Sequence, residues 1–256
     1  MTLQDAFNAP RGPGLKGRSE DEVLEMLMTS EIAEIGLHPN GSNYVFIVRL
    51  EADVDGDVPV LGVYKPQSGE RPLRDFPRGL HRRERASYVL SRALGWPAIP
   101  PTVIRDGPHG EGSVQLFIHA DTNETYFTMR GEQSGQFETI AGFDILVNNA
   151  DRKGGACLKD ADDKVWAIDQ GLTFNSNARV RTVMFEFCGQ PFNPDMIEGM
   201  RRLRPELAEG SGPSAELREL LSTDDVDGLC ERIDRLLEKP VFPMLDEYYN
   251  VPWPLI

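Results

Sequence analysis

A chain of 256 residues, 40% hydrophobic and 27% charged, has the composition of a globular protein with one large domain or two lobes sharing a core, and not of a disordered one. Its 27 basic and 41 acidic residues leave a net charge of −14, which argues against general nucleic-acid binding and leaves only a local basic patch open. No apolar run approaches the roughly 18–20 residues of a membrane span, and the N-terminus lacks the apolar core of a secretory signal.

In chain order, residues 8–18 are rich in glycine, proline and base and read as a loose arm. Ser19 and Glu22 have capping-box spacing, so a helix is predicted over 20–29. Three β-branched and aromatic runs follow, at 32–37, 44–50 and 58–65. Asn-Gly and Asp/Gly-rich turns separate them and predict three consecutive antiparallel strands. A Pro/Arg loop leads to a helix over 80–94, stopped by WPAIPP because proline lacks the N–H a helix needs. Strands are predicted at 102–105 and 113–118, flanking the turn DGPHGEG. A mostly apolar helix then covers 137–150, and a hairpin covers 156–169. Helices at 194–203, 214–222 and 224–238, the last capped by Thr223, complete the chain. Segregated strands and helices predict an α+β fold with two lobes. The expected division is an arm and helix (1–30), a strand-rich lobe (31–120) and a helical lobe (121–256), with the boundary near 118–124.

The most informative stretch is Asn148-Asn149-Ala150-Asp151-Arg152-Lys153-Gly154-Gly155 with Ala167-Ile168-Asp169-Gln170-Gly171. The two strands of the intervening hairpin return to one end, so Asp151 and Asp169 can meet although 18 positions separate them. Phosphoryl transfer needs such a pair: one carboxylate to orient the attacking hydroxyl, another to hold the magnesium that neutralises phosphate. Taken singly, the two acids also read as a helix C-terminal residue and a turn residue. Residues 36–43, with Gly41 and Ser42, read either as a plain Asn-Gly hairpin or as a tip whose N–H groups face a phosphate. Lys65 closes the third strand, where its ammonium can reach phosphates. Glu84 on the next helix can orient it only if the Leu80–Glu84–Tyr88 edge, opposite Ala86, Leu90 and Ala93, also lies inside.

The acidic clusters at 53–57 and 160–163 read as solvated turns; the first lacks the downstream glutamate of a calcium loop. Arg71, Arg74, Arg78, Arg82, Arg83 and Arg85 read as a solvated face with i,i+4 pairs or as an anion-binding rim. Cys157, Cys188 and Cys230 are odd in number, far apart and outside any CxxC pattern, so neither a disulfide framework nor a zinc site is expected, and the cytoplasm is the default compartment. Cys157 reads as small and buried.

The order strand–Gly hairpin–strand–strand–Lys65, helix with Glu84, strands, Asn149-Ala-Asp151-Arg152, hairpin, Ile168-Asp169-Gln-Gly171 resembles the phosphatidylinositol 3-/4-kinase-like superfamily, near the type II phosphatidylinositol 4-kinases and HipA-type kinases. LGVYKPQSGERPLRDFP, ALGW…IPPTV and NNADRKGG…AIDQGLTF resemble more closely a little-characterised actinobacterial family within it. The resemblance spans about residues 30–185 of the chain. It implies a bilobal protein-kinase-like fold, a strand-rich N-lobe over a small helical C-lobe, with ATP and Mg²⁺ (or Mn²⁺) in the cleft. Lys65 would contact phosphates and pair with Glu84, Asp151 would be the catalytic acid, and Asp169 would hold the metal. Gln115, Phe117 and Ile118 would lead into the hinge beside adenine, Gly41 and Ser42 would cover the phosphates, and Asn149 would brace the loop. Two positions depart from the relatives: Ala156 stands where they carry a second metal ligand, and Gln170 where they carry His or Asn. The expected activity is phosphoryl transfer to an unidentified hydroxyl, protein or small molecule before lipid, since no basic amphipathic helix is present. The alternatives are a nucleotide-binding pseudokinase acting as a regulatory module and an AMP transferase on the same fold.

Overall fold

The structure, a computed structural model, describes residues 3–8, 14, 15, 17–38, 44–51 and 60–256. Its elements are α1 (Leu3–Phe7), α2 (Glu20–Thr29), β1 (Ile32–Leu37), β2 (Phe46–Leu50), β3 (Leu61–Pro66), α3 (Leu80–Leu94), β4 (Thr102–Gly107), β5 (Gly110–Leu116), α4 (Tyr126–Met129), α5 (Ser134–Leu146), β6 (Cys157–Lys159), β7 (Val165–Ala167), α6 (Pro194–Glu209), α7 (Pro213–Leu220) and α8 (Thr223–Glu238). None of these helices is long and apolar enough to cross a membrane, among the described residues.

β1–β5 form one antiparallel sheet in the order β1-β2-β3-β5-β4. Because side chains alternate, its two faces separate cleanly. Val48, Leu50, Tyr64, Val103, Val114 and Leu116 are buried on the outer face against Val23 and Leu27 of α2. Register puts Glu34 and Gly36, Ile47 and Arg49, and Leu61, Val63 and Lys65 on the opposite, inner face. The capping box of α2 forms as spaced: Ser19 N donates to Glu22 Oε2 at 2.7 Å and Glu22 N to Ser19 Oγ at 3.2 Å.

β4 and β5 extend further into their turn than expected. Gly107 pairs with Gly110, whose φ of +90° closes a tight turn that side-chain-bearing residues rarely adopt. α5 ends before residue 150, since Asn148 turns left-handed (φ +54°) and Asn149 N bonds back to Asp144 O at 2.8 Å. α8 is capped by Ser222, not Thr223: Ser222 Oγ accepts from Asp225 N at 3.2 Å. α6 runs through Pro205 to Glu209, with Leu203 and Leu207 buried on either side of it. Asp160 is a correction. It is 1% exposed and accepts from Trp166 Nε1 at 2.8 Å and from the N–H groups of Asp162 and Lys164, so it organises the β6–β7 turn that looked merely solvated.

α3 is buried on both edges, which a single apolar face does not announce. One side meets β4 and β5, the other α6 and α7, so Leu80, Glu84 and Tyr88 are as buried as Ala86 and Leu90. The arginines follow from this placement. Arg83 Nη2 reaches Asp225 Oδ2 of α8 at 2.8 Å, with Thr173 O bonded to Nη1. Arg85 Nε reaches Glu216 Oε1 of α7 at 2.6 Å, and Arg82 bonds Glu111. These are ties between elements rather than i,i+4 pairs on a solvated face. Arg71, Arg74 and Arg78 stay exposed on the loop before α3.

Removing Asp225 leaves the Arg83 guanidinium buried without its counter-charge. Asp225→Ala is expected to lower unfolding free energy by about 3–5 kcal/mol in urea titration. A change below about 1 kcal/mol would show that α3 is not held to α8 by this pair.

Candidate active site

Lys65 is the last inner-face side chain of β3 before Pro66, and its ammonium lies where sheet and helical half meet. Nζ donates to Glu84 Oε1 at 2.5 Å and to Asp169 Oδ1 at 2.8 Å. The other oxygen of Glu84 accepts from Gln170 N at 2.9 Å. One carboxylate of α3 thus fixes both the lysine and the backbone next to Asp169. Burial opposes the charge on Lys65, but Asp169 and Glu84 outweigh it and hold the ammonium above its usual range. Lys65 in turn holds the Asp169 carboxyl below its ordinary value, with help from Arg152 and Lys153. Asp169 has φ +58°, a left-handed backbone that costs a non-glycine residue about 1–2 kcal/mol. Its side chain is 62% exposed.

Asp151 follows α5 and sits in a different setting. Burial pushes its carboxyl above the ordinary value; Lys153 and Arg181 pull it back, and the charge of Asp169 adds to the rise. The two acids therefore lie within electrostatic reach of each other. Asn149 is fully buried: its Nδ2 donates to Asp144 Oδ1 at 2.8 Å and its Oδ1 accepts from Asp151 N at 2.9 Å. It holds the loop of Asp151 from behind, in the bracing place expected of it.

Sequence reasoning missed two residues here. Arg152 is 0% exposed: its Nε and Nη2 meet the two oxygens of Asp144 at 2.8 and 3.0 Å, and Nη1 donates to Ala156 O and Ile168 O, both at 2.9 Å. It joins the loop of Asp151 to the strand end that delivers Asp169. The available signal was an acid, Asp144, in the apolar second half of the helix eight positions earlier. Lys153 is the second residue, its Nζ 3.2 Å from Asp151 Oδ2 and partly exposed. The run Asp-Arg-Lys held both clues.

The remaining predicted residues are placed as follows. Gly41 and Ser42, like residues 53–57, lie outside the described residues. Gln115 sits inside β5 between β3 and β4, its Nε2 donating to Thr102 Oγ1 at 2.9 Å, so both backbone and side chain are engaged in the sheet. Phe117, just past β5, lies at the edge of the inner-face cluster, and Ile118 is buried in the outer core. Ala156 is buried and contributes only its carbonyl. Asp162 and Asp163 sit with Asp160 at the far end of the hairpin, since Cys157 pairs with Ala167 at the near end. Cys157 is buried, its thiol pushed up to about 12, and is no nucleophile. Gln170 is buried with its Oε1 unpartnered. No cluster of three metal-binding side chains occurs among the described residues.

The raised Asp151 has a consequence for stability. Its folded value lies above its unfolded one, so the unfolded chain binds fewer protons and stability falls as pH rises through the window just above about 4. Asp151→Asn is expected to melt higher than the native chain at pH 7 and to converge with it below about pH 4. Parallel melting curves across that range would contradict the assignment.

No family model matches the chain. Among solved structures it is similar to the Golgi casein kinase, at 16% identity over 86% of this chain and 73% of that one, with a TM-score of 0.50. It is similar also to hydra Fam20 determined with sugar, at 13% identity over 93% and 95% of the two chains, again with a TM-score of 0.50. At such identities the likeness is one of fold, and the fold is kinase-like. Protein Rv2133c of Mycobacterium tuberculosis is 30% identical over 278 aligned positions, 94% of this chain and 98% of that protein. The chain therefore belongs to the family of Rv2133c.

Proposed function

We propose that this chain is a kinase-type phosphotransferase of the phosphatidylinositol 3-/4-kinase-like kind, using ATP with Mg²⁺ or Mn²⁺ to phosphorylate a hydroxyl-bearing acceptor. The observation that carries the reading is Lys65 Nζ held at once by Glu84 and Asp169, with Asp151 alongside. Lys65 binds the phosphates of the nucleotide. Phe117 and Ile118 lead into the hinge beside adenine, and Gly41 and Ser42 cover the phosphates.

Asp151 orients the acceptor hydroxyl and takes its proton as the oxygen attacks the γ-phosphorus. The bond to the β,γ-bridging oxygen breaks and ADP leaves. A carboxylate pushed upward by burial suits a general base better than an ordinary aspartate. Lys153 neutralises Asp151 at rest and is placed to meet the transferring phosphoryl oxygens. Asn149 and Arg152 hold the loop still, which matters because the catalysis is positioning and charge stabilisation.

The donor set fits a magnesium ion. Asp169 offers a hard oxygen open to the cleft, and magnesium commonly uses one or two carboxylates with substrate phosphates instead of a protein cage. Bound there, it would neutralise charge on the phosphates. Ala156 supplies no second oxygen, so metal affinity depends on the nucleotide being present. The same feature supports the second reading, a module that binds nucleotide without turning it over.

Thermal denaturation at saturating ATP and Mg²⁺, with turnover measured in parallel, tests both. The native chain is expected to gain stability from nucleotide and Lys65→Met to lose that gain. Asp151→Asn keeps nucleotide-dependent stabilisation and loses turnover by about 10²–10⁴-fold. Stabilisation with no turnover in the native chain favours the module. Product mass separates phosphate from AMP addition, and unchanged nucleotide affinity in Lys65→Met would remove the cleft assignment.

A further inference from the structure

The inner face of the sheet carries an apolar patch, Ile47, Leu61, Val63 and Phe117, on the face of β3 that also bears Lys65. In a sheet whose inner face borders a nucleotide cleft, such a patch is left for the base. Here it is covered from within the chain. Leu3 and Phe7 of α1 pack on it, and the Phe7 ring lies 5.4 Å from Phe117 and edge-on to His38 at 6.3 Å. Leu3 N donates to Glu34 Oε2 at 2.9 Å, and Arg49 Nε holds the other oxygen of that carboxylate at 2.8 Å. Gly36 lies beneath, where a Cβ would stand only 3.0 Å from Leu3 Cδ2. His38 marks how far α1 reaches. Burial lowers its imidazole, while Asp169 raises it and Lys65 lowers it, so the ring against Phe7 is within electrostatic reach of both.

We propose that α1 is a tethered occupant of the nucleotide cleft, with Phe7 standing where the base would lie, so that ATP enters only when α1 leaves. The inference rests on reading this cleft as the nucleotide site. Its physics follows from length and tether. A five-residue helix has no stability of its own, so α1 is helical because it is docked. The chain is anchored again at Gly14, whose N–H donates to the buried Asp160 Oδ2 at 3.1 Å. Phe7 and Gly14 are separated by the six residues Asn-Ala-Pro-Arg-Gly-Pro. A segment on so short a tether acts at an effective concentration of about millimolar. Its occupancy of the cleft is set by that concentration relative to its own dissociation constant, and the apparent affinity for nucleotide scales with the fraction of molecules in which the cleft is open.

The test uses the full chain and two variants, Phe7→Glu and Leu3→Ser, each checked for native circular dichroism. ATP binding with Mg²⁺ is measured by calorimetry, and hydrogen exchange at residues 3–7 is followed with and without ATP. Both variants are expected to bind ATP more tightly, Phe7→Glu by about tenfold. In the native chain, exchange at 3–7 is expected to rise when ATP is added. Equal affinities, or exchange at 3–7 that stays the same or slows with ATP, overturn the proposal while leaving the nucleotide reading intact. No ATP binding by any of the three proteins overturns the nucleotide reading, and this proposal falls with it.

Discussion

A buried guanidinium sets the geometry of the site. Arg152 is removed from water together with Asp144, an arrangement whose desolvation is offset only when its donors find acceptors. Here two carboxylate oxygens and two backbone carbonyls take up four of the five N–H donors and engage all three nitrogens. The carbonyls are not incidental: one belongs to Ala156 at the start of the hairpin, the other to Ile168 immediately before Asp169. A single side chain thereby locks the end of α5, the loop of Asp151 and the approach to Asp169 in one frame. Asn149 shares the Asp144 carboxylate, so the loop is fixed from two directions by one acid.

The second frame is α3. Its arginines and its one buried glutamate point to different partners: Glu84 to Lys65 and to the backbone after Asp169, Arg83 to α8, Arg85 to α7. Movement of α3 away from the helical half would break these charge-assisted bonds together. The position of Lys65 relative to Asp169 is therefore a property of the whole interface and not of the strand that carries the lysine. This also explains why the helix tolerates a low apolar content while lying buried, since its polar groups are consumed in contacts between the halves.

What could be read from the sequence, and what could not, divides along physical lines. Strands β1–β3 were legible because alternation and turn chemistry are local signals, and Asp151 and Asp169 were brought to one end by the elementary return of a hairpin. Glu84 was ambiguous, because helical periodicity assigns one buried face and α3 has two. Arg152 was missed because an arginine beside an aspartate reads as solvated, and burial of a charge depends on a partner at a distance that periodicity does not reveal. Asp160 was missed likewise: the donors it accepts from are the indole N–H of Trp166 and turn amides that meet it only after the hairpin closes. α1 was read as part of an arm because five residues are too few for a periodic signal, and its helix exists only against the sheet.

The two aspartates finish in opposite electrostatic states although they share one cleft. Lys65 holds the Asp169 carboxyl below its ordinary value, and the side chain stays largely exposed. Burial raises Asp151 and leaves it the readier proton acceptor. Environments that drive two nearby carboxyls apart in this way assign them different tasks. Neither environment is free of cost, since Asp169 holds a left-handed backbone and burial disfavours the charged form of Asp151. Strain of that kind persists only where neighbouring contacts over-determine the geometry, and Arg152, bonded to Asp144 and to the carbonyls of Ala156 and Ile168, is the contact that does so.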